Sequence, residues 1–554
     1  MKNIQIKKVI PYIAAILLFI ALSLAYMSPL FEGKQLRQDD IARHKGMSKE
    51  VNDFRDKTGE EALWTNSMFS GMPAYQISVK YKGNLVTYID QVFKLGLPHP
   101  ANLVFLYMLG FFILLITLRV NPWLSIAGAI AYGFSSYFFI ILEAGHNSKA
   151  HAIGYMAPVI AGIILTYRGK YFLGGIVTML FMALEIKAGH PQMTYYLMML
   201  MIIFAIVQLI QAIRTKQLNL FIKASAIVSL SVIVGVLTHT TNLWATWEYG
   251  KETIRGKSEL TTEQENRTSG LDKDYATQWS YGISETGTLL IPNFHGGSSQ
   301  GELSKNSNTY EALVDNQISK KQAEDIIKGM PTYWGSQPFT SGPVYLGAIV
   351  IFLFVFGLIY IKGPMKWWLL AGTILSILLS WGKNFMPLTE FFLDYFPGYN
   401  KFRAVSMTLV IAEITMPILA FLALNEIFKK EVDKKSVLKA LQLSFYIVGG
   451  FTLIFALFPG IFFDFSSPND AQYRQSYPDW LMDAIVLDRA SLLRIDAWRS
   501  LLFILILTSG IWAYIKGKLK VNVLYIIVIA IVVIDMWSVD KRYLNNDDFV
   551  KIKN

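Results

Sequence analysis

What most constrains this chain is a recurrence. Nearly uncharged apolar runs return from one end to the other, each close to the roughly 20 residues that carry a helix across a bilayer. They fall near 9–31, 101–118, 122–142, 150–166, 171–187, 191–213, 220–242, 342–361, 366–381, 404–427, 440–463, 498–515 and 521–538. Lipid offers no partner to backbone N–H and C=O groups, so runs that cross it must be helices that satisfy themselves. The expected fold is all-α and polytopic, a bundle of about 13 transmembrane helices with long extracytoplasmic loops. Composition agrees: 53% of the 554 residues are hydrophobic and 16% are charged, against about 25% charged in soluble domains. The first run, Val9 to Phe31 behind Lys2, Lys7 and Lys8, is too long for a signal-peptide core and has no clear small-x-small cleavage site. It is expected to remain as the first helix.

The segments between runs alternate in character. One set is short and basic, with Arg119, Arg168 and Lys170, Arg214 and Lys216, Lys362 and Lys366, Lys429 to Lys435, and Lys516 to Lys520. Short basic loops stay in the cytoplasm, which puts the amino terminus inside and, across an odd number of spans, the carboxyl terminus outside. The other set is longer and mixed in charge. The resulting division is a first helix (1–31), a first extracytoplasmic loop (32–100), helices 2–7 (101–242), a large extracytoplasmic loop (243–341), helices 8–13 (342–538) and an extracytoplasmic tail (539–554). The same distribution excludes nucleic acid as the meaning of the +11 net charge, because the basic residues sit in loops between spans. The chain has no cysteine, which removes disulfides, thiol catalysis and Cys-ligated zinc together. No glycine-rich phosphate loop follows a strand pattern, and no inverted repeat of broken helices is visible.

Polar chemistry gathers in the mixed segments. All seven histidines (His44, His99, His146, His151, His190, His239 and His295) fall there or at the adjoining helix ends. The first long loop opens with Gln38-Asp39-Asp40, two carboxylates suited to a general base or a divalent cation, though an acidic pair is as a rule a solvated turn. It continues through Trp64, Asn66, Phe69 and Tyr75, an aromatic and amide cluster suited to a sugar or a head group, or simply to the bilayer interface. Glu143, His146 and Lys149 share a face if helical geometry persists through 143–149. Glu185 lies near the end of an apolar span, and His190 and Gln192 frame a helix start broken by Pro191. Lys401 and Arg403 stand before the tenth span, where basic residues run against positive-inside; they suit a bound phosphate or, equally, contacts to anionic lipid. Glu413 and Asp535, deep in spans, read as structural hydrogen-bonding groups. Glu285 and His295 belong to the large loop, which is expected to fold as a partly helical cap over the cleft.

Taken together, Gln38-Asp39-Asp40, the Trp-x-x-x-x-Phe-x-Gly-x-Pro pattern from Trp64 to Pro73, Gly189-His190-Pro191-Gln192, Gly282 to Phe294 and Asn400 to Met407 resemble the YfhO family of bacterial membrane proteins, in its long Bacteroidota form. The resemblance spans essentially the whole chain. It implies a glycosyltransferase of the GT-C class in the bacterial cytoplasmic (inner) membrane, taking sugar from a polyprenyl-phosphate carrier. Asp40, or its neighbour Asp39, would be the catalytic base. His146, Lys149, His190, Lys401 and Arg403 would hold the donor phosphate, and Trp64, Asn66, Phe69, Tyr75, Glu143, Glu185, Gln192, Glu285 and His295 would shape the substrate cleft. The acceptor would be a glycan, lipid or protein, no cofactor is certain, and a divalent metal is possible. Long family members continue past residue 554, so the resemblance also implies a shortened form. The rival reading is a transporter or flippase of a lipid-linked sugar, which would hold the same head group but spread polar residues through the bilayer midplane. A weaker one is a non-enzymatic envelope assembly factor.

Overall fold

A computed structural model describes residues 6–256, 268–429 and 431–551. It is almost wholly helical, with two short antiparallel strand pairs. Among the described residues, seven helices are long and apolar enough to cross a membrane, or up to nine if each of two bent pairs counts as one span. The thirteen apolar runs are therefore not thirteen uniform spans. Those at 101–118 and 342–361 form the shorter helices Ala101–Thr117 and Ala348–Tyr360. The run at 498–515 is the end of a 37-residue helix, Asp479–Ile515, which reaches back through most of what reads in sequence as the loop 464–497.

Two helices form the centre. In Asn147–Tyr167 and Val405–Glu426, 89% of the span is enclosed by other protein, against 17% in Leu218–Leu237 and 22% in Lys8–Tyr26. The peripheral helices turn large apolar side chains outward, such as Leu17, Ile206, Leu230 and Ile526. A helix apolar all round is a membrane or deep-core helix, and here the two roles separate by position. The central helices can carry Lys149, His151 and Glu413 because they never meet lipid. Small residues let them pack closely: a Cβ on Gly162 would lie 2.5 Å from the Thr178 backbone nitrogen of the neighbouring helix Tyr171–Lys187.

Two spans are broken. Pro122–Gly133 and Ser136–Glu143 meet at 43°, and Met365–Ser380 turns by 111° into Gly382–Tyr395. At the first break the Ser135 hydroxyl is free of helical duty and donates to Glu413 at 3.0 Å. Asp535 accepts from the Tyr345 hydroxyl at 2.7 Å and pairs with Arg499 at 2.8 Å. Both deep carboxyls thus have protein partners.

Chain ends are joined at one end of the bundle. Lys34–Leu36 pairs with Phe549–Lys551, and the Tyr26 hydroxyl donates to the Leu544 carbonyl at 2.7 Å. The region 243–341 divides its allegiance. Residues 257–267 lie outside the described part, and 268–281 hydrogen-bonds along 400–406 through Leu271, Ala404 and Ser406. The stretch around 303–330 instead builds a second small core with Leu481, Met482 and Ile485 of the long helix. Arg489, fully buried there, holds Asp470 with two nitrogens at 2.7 and 2.8 Å. Among the described residues, Arg255 and the stretch from 268 to 281 are the parts of the loop joined to the segment that carries Arg403.

Candidate active site at the head of the central helix

Asp39 and Asp40 are not a free turn. They form the first turn of the helix Asp39–Met47, where carboxylates suit the positive end of the helix dipole. Consecutive positions on a helix point about 100° apart, and the two side chains separate accordingly. Asp39 faces solvent and meets Arg37 at 3.5 Å, whereas Asp40 turns inward and its Oδ2 lies 3.1 Å from Nε2 of His146. Gly145 makes that approach possible. Its φ is +91°, and a Cβ there would stand 3.2 Å from the Cβ atoms of both Asp40 and Gln38.

The helix does not run through 143–149 as the i, i+3 reading requires. It ends at Glu143, and His146 caps a new helix, Asn147–Tyr167. Glu143 is therefore parted from the other two, but His146 and Lys149 remain together, with Lys149 Nζ 3.2 Å from His146 Nδ1. When Lys149 is protonated it only donates, so Nδ1 then accepts and Nε2 carries the proton. The order of bonds is then fixed: Lys149 donates to His146, and His146 donates to Asp40. Among the described residues, no protein hydrogen bond reaches Asp40 Oδ1. Burial, and next the Lys149 charge, push the His146 imidazole down to about 4 against the pull of Asp40, so it is neutral at pH 7.

Other cations stand within electrostatic reach. Arg403 acts on His146, and Lys149 and Arg255 act on His190. Arg403 donates to the Tyr275 hydroxyl at 2.7 Å and lies over the Tyr275 and Trp279 rings, which fixes its guanidinium. Gln192 donates to the Arg403 carbonyl and to the Tyr196 hydroxyl, both at 2.8 Å, tying the His190 turn to the Arg403 segment. Burial pushes His190 down to about 3, so it is a neutral imidazole and not a cation, with its Nδ1 buried and without a partner among the described residues. Asp40, His146, Lys149, His190, Gln192 and Arg403 therefore form one neighbourhood.

The remaining candidates lie elsewhere. Lys401 donates to the carbonyls of Arg255 and Ser269, which makes it a loop clasp. Glu185 is buried and accepts from the Thr194 hydroxyl. Trp64, Asn66 and Phe69 belong to a small hairpin pinned by Glu50, with Phe69 82% exposed at its tip, and Tyr75 follows it. Glu285 accepts from Tyr333, Gln337 and the Gly282 N–H, and burial pushes it up to about 7. His295 stacks on Trp334 with ring centres 3.8 Å apart. No bond or ion pair joins these last two to the Asp40 group among the described residues. Gly145, Arg255, Tyr275 and Trp279 escape sequence reasoning. Their roles depend on close approach between distant segments, and no local pattern announces that.

Among the described residues, no group of three or more His, Asp or Glu side chains is placed to hold a metal ion. No family model matches the chain, and no curated protein or solved structure matches it.

Proposed function

We propose that this protein is a membrane glycosyltransferase of the GT-C kind, related to the YfhO family, that moves a sugar from a polyprenyl-phosphate donor to an envelope acceptor. The observation that carries this reading is the fixed order Lys149–His146–Asp40, with Arg403 beside it. A base must accept a proton from a hydroxyl, and among the described residues Asp40 meets a protein partner through Oδ2 alone, which leaves Oδ1 for that task. Attack by the acceptor oxygen on the anomeric carbon breaks the bond to the donor phosphate in one displacement, with inversion. The proton goes to Asp40, and the bonding pair leaves with the phosphate. Lys149 and Arg403 stabilise that departing anion from fixed positions, and fixed charges near a developing charge give the largest catalytic effect. The gathering of Asp40, His146, Lys149, His190 and Arg403 at one end of the bundle, with Glu413 and Asp535 each held at depth through one carboxyl oxygen, favours transfer chemistry over a transport path.

The site-bearing end is assigned to the extracytoplasmic side of a bacterial cytoplasmic membrane. All 13 apolar runs, the short and the bent ones included, are counted as crossings. Reporter fusions after Lys435 and after Asn554 should then report opposite sides, and finding both on one side would break the count. The activity is tested with purified protein in nanodiscs, supplied with a polyprenyl-phosphate sugar and an envelope extract. Glycosyl transfer releases free polyprenyl phosphate, whereas a flippase moves the donor across the bilayer and leaves it intact.

A further inference from the structure

A second polar centre lies on the other flank of the head of Asn147–Tyr167. Asp90, buried on the short helix Val86–Phe93, accepts from His151 at 2.6 Å, the Tyr155 hydroxyl at 2.7 Å, Lys187 at 2.7 Å and Lys94 at 2.9 Å. Burial works against the Asp90 carboxylate, but the bonds from His151, Lys187 and Tyr155 hold it well below the usual range. One negative charge therefore serves two ammoniums, and the cluster carries a positive surplus.

That surplus faces space. A cavity of about 260 Å³ opens beside it, lined by Lys94, His99, Asn102, Asn147, Ser148 and His151. Asn147 and Ser148 are the first residues of a 21-residue helix; the Asn147 N–H is taken by the Gly145 carbonyl at 2.7 Å, and the Ser148 N–H is one of the first-turn amides without an acceptor in the helix. The Lys94 ammonium, the Ser148 hydroxyl and the Ser148 amide border one volume and are donors an anion takes, and the helix dipole adds to the attraction. The volume falls below the roughly 300–1,000 Å³ of small-molecule pockets, so it suits a charged group and not a whole sugar.

Depth can be read from the helix that carries Lys94. Leu85, Tyr88, Val92 and Leu95 expose 72%, 55%, 69% and 51% of their surface along one side of it, while Val86 and Asp90 are buried on the other. Such a helix lies in the membrane plane with its apolar face among acyl chains, which brings the cavity to the level of lipid phosphates.

We infer that this cavity is a phosphate-binding site, separate from the Asp40 cleft, for a phosphate monoester or diester at head-group level. It stands independently of the transferase reading. It also touches the Asp40 loop. Gln38, two residues before Asp40, donates to Asn147 Oδ1 at 2.9 Å and accepts from His99 at 3.3 Å. An anion seated on Asn147, Ser148 and Lys94 therefore braces the segment that presents Asp40.

The test uses full-length protein in lipid-free detergent, with thermal unfolding followed against inorganic phosphate and against chloride at equal ionic strength. A saturable, phosphate-specific rise in melting temperature is expected for the wild type and for Arg403→Ala. In Lys94→Met half-saturation should weaken by about tenfold or more, the worth of a charged hydrogen bond. Ser148→Asp should abolish the rise. Ser148 is exposed and aspartate suits a helix start, so this variant folds even if Lys94→Met does not. Absence of the rise in the wild type overturns the site, and so does its survival in Ser148→Asp. Loss in Arg403→Ala would assign the anion to the Asp40 cleft and overturn it equally. Phosphatidylglycerol nanodiscs separate the sources. A lipid occupant suppresses the response to inorganic phosphate, and Ser148→Asp then retains one phospholipid fewer by native mass spectrometry. A free-phosphate occupant leaves the response unchanged.

Discussion

Nε2 of His146 lies 3.1 Å from Oδ2 of Asp40, while Nδ1 of the same ring faces the Lys149 ammonium at 3.2 Å. A neutral imidazole between a donor-only group and a carboxylate has a single tautomer available. In the proposed transferase the ring therefore orients Asp40 while itself staying neutral.

That arrangement fixes the sign of a pH effect. His146 sits at about 4, so its neutral form is complete by neutral pH and is lost as pH falls through 4. Below that point the ring becomes an imidazolium, repels Lys149 and can no longer accept its hydrogen bond. Replacing Lys149 with Met removes a positive neighbour, so the His146 value rises toward its ordinary 6.5. Transfer by Lys149→Met should then show an acid limb displaced upward from the wild type, with a lower plateau. A pH–rate profile of both proteins checks this, and an unmoved limb would separate Lys149 from the ring.

Gly145 sets the distance between the two strands of the site. Any side chain there meets strain from φ +91° and crowds Asp40 and Gln38 at 3.2 Å. Gly145→Ala should keep the fold, since the neighbours can give by a few tenths of an ångström. Transfer should fall by about 10-fold to 10²-fold, because small misplacements of a catalytic group are costly. Rates and thermal unfolding measured together distinguish this outcome from a loss of stability, which would show as parallel declines.

Much of the architecture is legible in the chain. Apolar runs of bilayer length announce the helices, and the asymmetry of polar residues announces which end gathers titratable groups. The two central helices are harder to see. Asn147–Tyr167 and Leu230-bearing Leu218–Leu237 are both apolar, and only packing decides which one is enclosed. Loop 243–341 illustrates a different limit. Its wish to cover something is readable from its length, but 303–330 finds its apolar partner on Asp479–Ile515, a helix that sequence divides into loop and span. At the site, Asp40, His146, Lys149 and Arg403 are legible as residue types at helix ends. That Asp40 and not Asp39 turns inward follows from the helix beginning at Asp39, which a pair of acidic residues in a polar loop does not reveal. Asp90 offered no signal, since its partners come from two other helices and the turn after its own.

Sugar transfer by purified protein carrying Asp40→Asn, compared with Asp39→Asn, is the most direct measurement of the central claim. The amide keeps the size and polarity of Asp40 and its contact with His146, but cannot take a proton. Asp40 as general base predicts a loss of about 10²–10⁴-fold in rate for Asp40→Asn, with the thermal unfolding of the wild type. It predicts little change for Asp39→Asn, whose carboxylate meets only Arg37 in solvent. A fully active Asp40→Asn, or a larger loss from Asp39→Asn, would contradict it.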